Sequence, residues 1–430
     1  MRDLNGQCQR SEDNFRIPCG NSHIDVFLGK TAAVVKPEKR MFPMTDAQIE
    51  EVLVSEGVMS PCLYDVIDEA QKILVILPDA TRKSGAEKFL PNITAYAKQK
   101  GKTLNFIIAV GTHRQPTEAE LRKIMTSEIY EEYSGNILCH DSENYADMDF
   151  YGITKRKTTV LLNKAYREHD TIITIGSVSY HYFAGYGGGR KLIFPGIGGH
   201  KAITANHKLA IDPVKKQRHE YAVTGNLKNN PVHDDLVESV MIARAGHNFY
   251  AVNTILTEEG EIADMVCGDL FLSHLEACSR LDSYCLYEPE KKFDLLLVSA
   301  GGYPKDINMI QSQKYLDRVL PLVSEGGRIV FFAQCPDGYG NKFFEDFFDV
   351  KLSSDMLNGL IHDYKINRQT AFNLKSNLER YEVFLYSDFS EYDCERMGFK
   401  KLADLSAIRR LADSSDNIGF VPYPADLFVK

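Results

Sequence analysis

Two α/β domains built on mainly parallel sheets are what this sequence predicts, and three observations carry the prediction. Short β-branched apolar runs alternate with segments of helical periodicity, the pattern that packs helices on a largely parallel sheet. A chain of 430 residues suits two or three domains at about 100–200 residues each. A charged, proline-bearing stretch, Leu286-Tyr-Glu-Pro-Glu-Lys-Lys292, interrupts the pattern just ahead of a new strand. The predicted division is therefore residues 1–286 and residues 293–430. The last fifteen or so residues, with Phe420-Val421-Pro422, read as a strand that returns to either domain, the N-terminal one included.

Taken in order, the predicted strands are Ile73–Leu77, Leu104–Val110, Thr171–Ile175, Ala251–Leu256, Leu295–Val298 and Arg328–Phe332. Each is a four- to seven-residue apolar run bounded by polar or glycine-bearing turns. Between them, Thr117-Glu-Ala-Glu120 after Pro116 has the spacing of a capping box that opens a helix. Leu236, Val240 and Ile242 give Asp234–Ala245 a helical stripe, and Tyr315, Val319, Leu320 and Leu322 do the same for Lys314–Val323.

Composition excludes several classes. Charged residues make up 25%, and the net charge is −9, the wrong sign for coating nucleic acid or acidic lipid. The longest apolar runs are strand-length, far short of the ~20 residues of a membrane span. The first residues carry Asp3, Glu12 and Asp13 and lack an apolar core, so no secretory leader is expected. Nine cysteines without a C-x-x-C pair point to reduced thiols and a cytoplasmic protein, not to a zinc ribbon or redox motif. There is no tryptophan among 22 Tyr and 23 Phe.

Chemistry-bearing residues gather where strands end. Ile73–Leu77 runs into Pro78-Asp79-Ala-Thr-Arg82, Leu104–Val110 into Gly111-Thr-His113-Arg, and Thr171–Ile175 into Gly176-Ser177 and then Tyr180-His181. Ligands of open α/β sheets bind outside the carboxyl ends of strands. If the three strands are neighbours, Asp79, Arg82, His113 and His181 share one crevice; read singly, each is as well explained as a cap or surface turn. Seven of the 30 glycines lie between positions 181 and 200, a density that calls for positive φ or close backbone approach. Gly187-Gly188-Gly189-Arg190-Lys191 looks like a phosphate cradle, but Arg190 stands where both a Walker A loop and a G-x-G-x-x-G turn require Gly. His181, Lys191 and His207 are spaced by 10 and 16 residues, which matches no common metal site. After the fifth strand, Gly301-Gly-Tyr-Pro304-Lys-Asp306-Ile-Asn308 leads into a helix carrying Gln311 and Lys314 on one face. A helix start of this kind suits an anion, and equally an ordinary capped turn.

Together, Asp79-x-Thr-Arg82, Gly111-Thr-His113-Arg, His181-Tyr-Phe-Ala-Gly with Lys191 and His207, and Gly-Gly-x-Pro304-x-Asp306-x-Asn308 with Gln311 and Lys314 resemble the nickel-dependent lactate racemase family. The resemblance runs from about residue 20 to the end. It implies a nickel-pincer nucleotide, a pyridinium mononucleotide whose sulfur-bearing arms hold nickel, attached through a thioamide to the lysine matching Lys191. It implies that His207 is the nickel ligand, that His113 and His181 are acid and base, and that Arg82 orients the substrate carboxylate beside Asp79. Gln311 and Lys314 match substrate-side residues, and Asp79, Gly187, Gly188, Gly189 and Arg190 would border the cofactor. The N-terminal domain would then be catalytic, with the site in a cleft between domains. Dedicated cofactor-making enzymes would be transient partners.

The implied reaction inverts Cα of a 2-hydroxy acid. The hydroxyl proton passes to a neutral histidine as hydride leaves Cα, which avoids a poorly acidic C–H bond. Two departures bear on the substrate. The family's tyrosine before the glutamine is Ile310 here, and its second-domain tryptophan has no counterpart; the equivalent region is Asn367-Arg-Gln-Thr-Ala371. These departures suggest a racemase or epimerase for a 2-hydroxy acid larger or more polar than lactate, such as a sugar acid. Two other readings stay open on the residues alone: a hydrolase or lyase using the same His/Asp cluster on a metal ion, and a non-catalytic binder of a hydroxy acid or nucleotide.

Overall fold

A computed structural model describes residues 14–429. The stretch read for a leader, with Cys8, lies outside the described residues. The chain forms two compact units. One holds Arg40–Ala210 and His219–Ser283; the other holds the chain up to Lys39, Ile211–Arg218 and Tyr284 onward. The change of unit at Tyr284 falls beside the charged stretch at 286–292. The earlier crossings, at residues 39 and 211–218, lie in charged, proline-bearing stretches of their own, Lys36-Pro-Glu-Lys-Arg40 and Ile211-Asp-Pro-Val-Lys-Lys-Gln-Arg218.

The first unit is organised by a six-stranded sheet in the order Ile262–Gly268, Asn248–Leu256, Thr171–Ser177, Ile73–Pro78, Leu104–Ala109, Ile137–Cys139. All neighbours are parallel except the antiparallel pair Asn248–Leu256 with Ile262–Gly268. Ile73–Pro78 is buried along its whole length, as expected of a central strand covered on both faces. Apolar clusters on the two faces account for this. One joins Val75, Leu77, Phe106 and Ile173 to helices such as Leu90–Gln99. The other joins Leu74, Ile76, Ile107 and Ile172 to Leu236 and Val240 of helix Pro231–Ile242. The capping box at Thr117 forms as read: its side chain accepts from Glu120 N–H, and the Glu120 side chain accepts from Thr117 N–H.

The three strands whose ends carry the candidate residues are adjacent. Ile73–Pro78 pairs with Leu104–Ala109 on one side and Thr171–Ser177 on the other. The chain leaves the central strand in one direction and later returns on its opposite side, so the order reverses there. That reversal point is where open α/β sheets hold their ligands.

The second unit is built on an all-parallel sheet in the order Lys400–Lys401, Glu382–Tyr386, Val323–Phe332, Phe293–Ser299, Ile418–Val421, Ala33–Val34. The Phe420-Val421 segment is therefore a strand of this sheet. No described helix is long and apolar enough to cross a membrane. None of the eight described cysteines is in a disulfide.

Candidate active site

Asp79 begins the loop after the central strand and is only 5% exposed. Its Oδ1 accepts from the Thr81 N–H at 2.7 Å and the Thr81 hydroxyl at 2.6 Å, and the Asp79 carbonyl accepts from the Arg82 N–H at 3.0 Å. The loop is thus wound around its own aspartate, which leaves Oδ2 for His113, whose Nδ1 lies 2.6 Å away. Burial alone would raise the Asp79 pKa, but His113 and then Thr81 outweigh it, and the carboxyl sits below its usual range. Asp79 is a carboxylate at neutral pH, so His113 Nδ1 is the donor and the neutral ring carries its lone pair on Nε2. The His113 side chain is 46% exposed. Arg82 is exposed, and its guanidinium has no hydrogen-bond or ion-pair partner among the described residues.

From the strand on the other side, the chain continues into a small hairpin that pairs Tyr180–His181 with Gly185–Tyr186. His181 Nδ1 accepts from the Ala184 N–H at 3.2 Å. Its ring meets Phe183 edge to face, centroids 4.7 Å apart, and Phe183 meets His207 in the same manner at 4.9 Å. One buried phenyl ring therefore wedges against two of the imidazoles that the sequence singles out.

Lys191 lies on the single helical turn Arg190–Ile193, and His207 on helix His200–Lys208. Burial, then the charges of Arg190 and Arg82, hold the Lys191 amine well below its usual pKa. The amine has no hydrogen bond or ion pair among the described residues. Burial, then Lys191, takes His207 down to about 3, with the Ile203 carbonyl opposing in part. The buried His207 Nδ1 makes no hydrogen bond. The structure thus brings Asp79, Arg82, His113, His181, Lys191 and His207 into one unit, on adjoining strand ends and the segment that follows them. It gathers an amine held well below its usual pKa, an imidazole with an unused nitrogen, and a free guanidinium.

The glycine–arginine stretch is used differently from a phosphate cradle. Arg190 is 1% exposed, and its guanidinium turns inward to His274 Nε2 at 2.8 Å and His233 Nδ1 at 3.0 Å. Gly188 and Gly189, at φ +75° and +52°, are demanded by packing. A Cβ at Gly188 would lie 2.7 Å from the Ser177 carbonyl oxygen, and one at Gly189 would lie 2.7 Å from the His274 ring. Gly187 offers its carbonyl to His274 Nε2 at 2.8 Å. As a border for a bound nucleotide, Arg190 is corrected by these contacts: its side chain serves the interior. His233 and His274 were not visible in the sequence, because their contacts to Arg190 span 43 and 84 residues. Burial, then Arg190, lowers His233 to about 3 and holds His274 well below its usual range, which favours neutral rings beside a buried cation.

In the second unit, Asn308 caps helix Met309–Val319 by accepting from the Gln311 N–H. Asp306 is fully buried, and its Oδ2 accepts from the Gly20 and Gln334 N–H groups. It is a structural tie and leaves the helix start to its own cap. Lys314 Nζ donates to Gln311 Oε1 at 2.7 Å. Ile310 is 8% exposed and packs in the apolar core of this unit. The region 367–371 opens helix Arg368–Arg380, where Gln369 and Thr370 are buried and Gln369 Oε1 has no hydrogen bond.

Comparison with known proteins bears on the family and the fold. The family model for the lactate racemase N-terminal domain matches residues 20–218, and that for the lactate racemase C-terminal domain matches residues 289–405. Lactate racemase from Thermoanaerobacterium thermosaccharolyticum is 28% identical over 418 residues, 94% of this chain and 95% of the relative. That from Lactiplantibacillus plantarum is 27% identical over 355 residues, 80% of this chain and 81% of the relative. The structure of the Thermoanaerobacterium lactate racemase apoprotein superposes with a TM-score of 0.84 at 24% identity, covering 97% of this chain and all of that one. A Thermotoga maritima protein shares the fold with a TM-score of 0.67 at 17% identity, over 90% and 99% of the two chains. Fold and matched domains define an isomerase of the racemase and epimerase class. The chain belongs to the lactate racemase family.

Proposed function

We propose that the protein inverts Cα of a 2-hydroxy acid with a nickel-pincer nucleotide held on Lys191, and that its main substrate is larger or more polar than lactate. The observation that carries the cofactor assignment is the Lys191–His207 pair: a buried amine, unpaired and pushed toward its neutral form, beside an imidazole kept neutral, with a buried nitrogen unused. A neutral amine is the form that bonds to a thiocarboxyl carbon, and a neutral imidazole is the form that ligates nickel. No described group of three His, Cys, Asp or Glu residues could hold a metal by itself; nickel at His207 would need further donors, which the sulfur arms of the nucleotide would supply. When bound, the nucleotide supplies a group that takes hydride from Cα and gives it back.

The chain's own residues do the rest. Arg82 suits bidentate binding of the substrate carboxylate. Asp79 fixes the His113 tautomer and stabilises its cation, so that His113 Nε2 takes the hydroxyl proton. Gln311 and Lys314 are the proposed substrate-binding residues of the second unit. The substrate preference draws support from the absence of Trp and from the buried Gln369 amide in the region of the family's tryptophan.

The test is a panel of single-enantiomer 2-hydroxy acids, lactate and sugar acids included, in deuterated water with cofactor-loaded protein. The expected outcome is loss of optical purity without deuterium at Cα, fastest on a substrate other than lactate. Extensive exchange would point to direct proton abstraction, and lactate as the fastest substrate would overturn the preference.

A further inference from the structure

The loops that follow two adjacent parallel strands of the second unit, Phe293–Ser299 and Val323–Phe332, line a cavity of about 510 Å³. It lies at the carboxyl ends of these strands, where open α/β sheets hold ligands. Its walls are set by backbone. The Met309 N–H donates to the Gly338 carbonyl and the Asp337 N–H to the Ile307 carbonyl, both at 2.9 Å. Gly340, at φ +85°, packs so closely that a Cβ there would stand 2.5 Å from Asn308 Cγ.

Two polar side chains at the cavity are engaged elsewhere: the Tyr339 hydroxyl donates to Asp393 at 3.0 Å, and Glu345 faces Arg396 at 3.8 Å. Four others keep free capacity. Asp337 and Lys342 are exposed, and their charged groups have no hydrogen bond or ion pair among the described residues. Asn308 and Asn341 each spend the amide oxygen on a cap, accepting from the Gln311 N–H at 3.1 Å and the Phe343 N–H at 2.8 Å. An amide whose oxygen is fixed by a donor has its NH₂ turned the other way. Neither NH₂ group has a partner among the described residues.

The cavity therefore offers one free anion, one free cation and two neutral donors. A phosphate or a second carboxylate would meet Asp337 and Glu345, and a metal ion or an amine would meet Lys342 and the two NH₂ groups. An apolar chain would displace water and leave the polar groups without partners. A run of hydroxyls both donates and accepts, so it satisfies all four together. Asn308 stands three residues before Gln311 at the same helix start, roughly 5 Å along the axis, and one five- or six-carbon acid reaches both. We propose that this cavity takes the hydroxylated tail of the substrate, an open-chain polyhydroxy acid of the sugar-acid class. Asp337 accepts from tail hydroxyls, and Lys342, Asn308 and Asn341 donate to them.

That the ligand is the substrate rests on the racemase reading; that the cavity holds a hydroxylated tail does not, so binding is measured on the cofactor-free full chain without turnover. Nitrogen-15 NMR of asparagine-labelled protein follows the side-chain amides. Asn308→Ser and Asn341→Ser, which keep a capping oxygen, assign the two signals. The probes are D-gluconate, sorbitol, and 2-hydroxyhexanoate, which matches gluconate in carbon count and acid end but has no tail hydroxyls. The expected result is that gluconate moves both amide signals, with a Kd at least about tenfold below those of the other two. Asp337→Ala and Lys342→Met, both at exposed positions, should each weaken gluconate about tenfold and leave 2-hydroxyhexanoate as it was. Gluconate that moves neither signal, or binds no better than 2-hydroxyhexanoate, overturns the proposal. Sorbitol binding as tightly as gluconate overturns it too, because the cavity would then serve neutral polyols. Cofactor-loaded protein that inverts no 2-hydroxy acid, while gluconate still binds through Asp337, would overturn the racemase reading and support the tail site.

Discussion

The two sheets have parallel strands that end in turns before helices, yet their strand ends differ in what they leave unpaired. At the first unit's strand ends, polar groups are left with capacity to react: a histidine held by Asp79, a free guanidinium at Arg82, an unpaired amine at Lys191, an unused nitrogen on His207. At the second unit's strand end, the polar groups are consumed by structure. Asp306 ties Gly20 and Gln334, Asn308 caps its helix, and Lys314 bonds Gln311. Buried polar groups without partners cost stability, and the protein carries that cost where chemistry is proposed. The proposed roles follow this contrast: reaction at the first sheet, and recognition by Gln311 and Lys314 at the second.

The sharpest way to break that division is to remove the proposed base. His113→Ala should lower kcat by about 10²–10⁴-fold, with KM little changed, on whichever 2-hydroxy acid the panel identifies. A KM-dominated effect would move His113 to the recognition side. Lys314→Ala should do the reverse: KM rises by roughly tenfold, the scale of one charge-assisted hydrogen bond, and kcat is nearly preserved. Steady-state kinetics of the two variants on one substrate sets them side by side.

The smallest expected effect is on stability. His207 and His233 titrate at about 3 in the folded chain, against about 6.5 when unfolded. Between those values the unfolded chain binds more protons, so stability rises with pH across the window and is lost as pH falls below about 6.5. Thermal unfolding of the cofactor-free protein between pH 7.5 and 5 should show it, with a slope on the order of 1 kcal/mol per pH unit for each buried imidazole. His233→Gln should flatten the slope; an unchanged slope would remove His233 from the buried, neutral set.

Much of this was legible in the sequence because it is local. Ile73–Pro78 and Leu104–Ala109 are near-continuous apolar runs since both sheet faces are covered, and the Thr117 box needs only four residues. What could not be read is long-range. Ala33–Val34 joins the second sheet by pairing with Gly419 and Phe420, so no cut near residue 290 could capture the N-terminal segment. The Asp79–His113 contact spans 34 residues, and sequence shows both groups without their bond. The glycines around Arg190 say nothing of its side-chain direction, which is set by His233 and His274. Ile310 was read as a change in the substrate wall, and it packs in the core of its unit.

The central claim is that Lys191 carries the cofactor and His207 its nickel. It is tested most directly by peptide mass mapping and metal analysis of protein made in a host that synthesises the nucleotide. The account predicts a mass increment on the peptide containing Lys191 and one nickel per chain. It also predicts that Lys191→Ala loses both, and that His207→Ala loses nickel while keeping the adduct. Nickel bound to protein whose Lys191 is unmodified would contradict it.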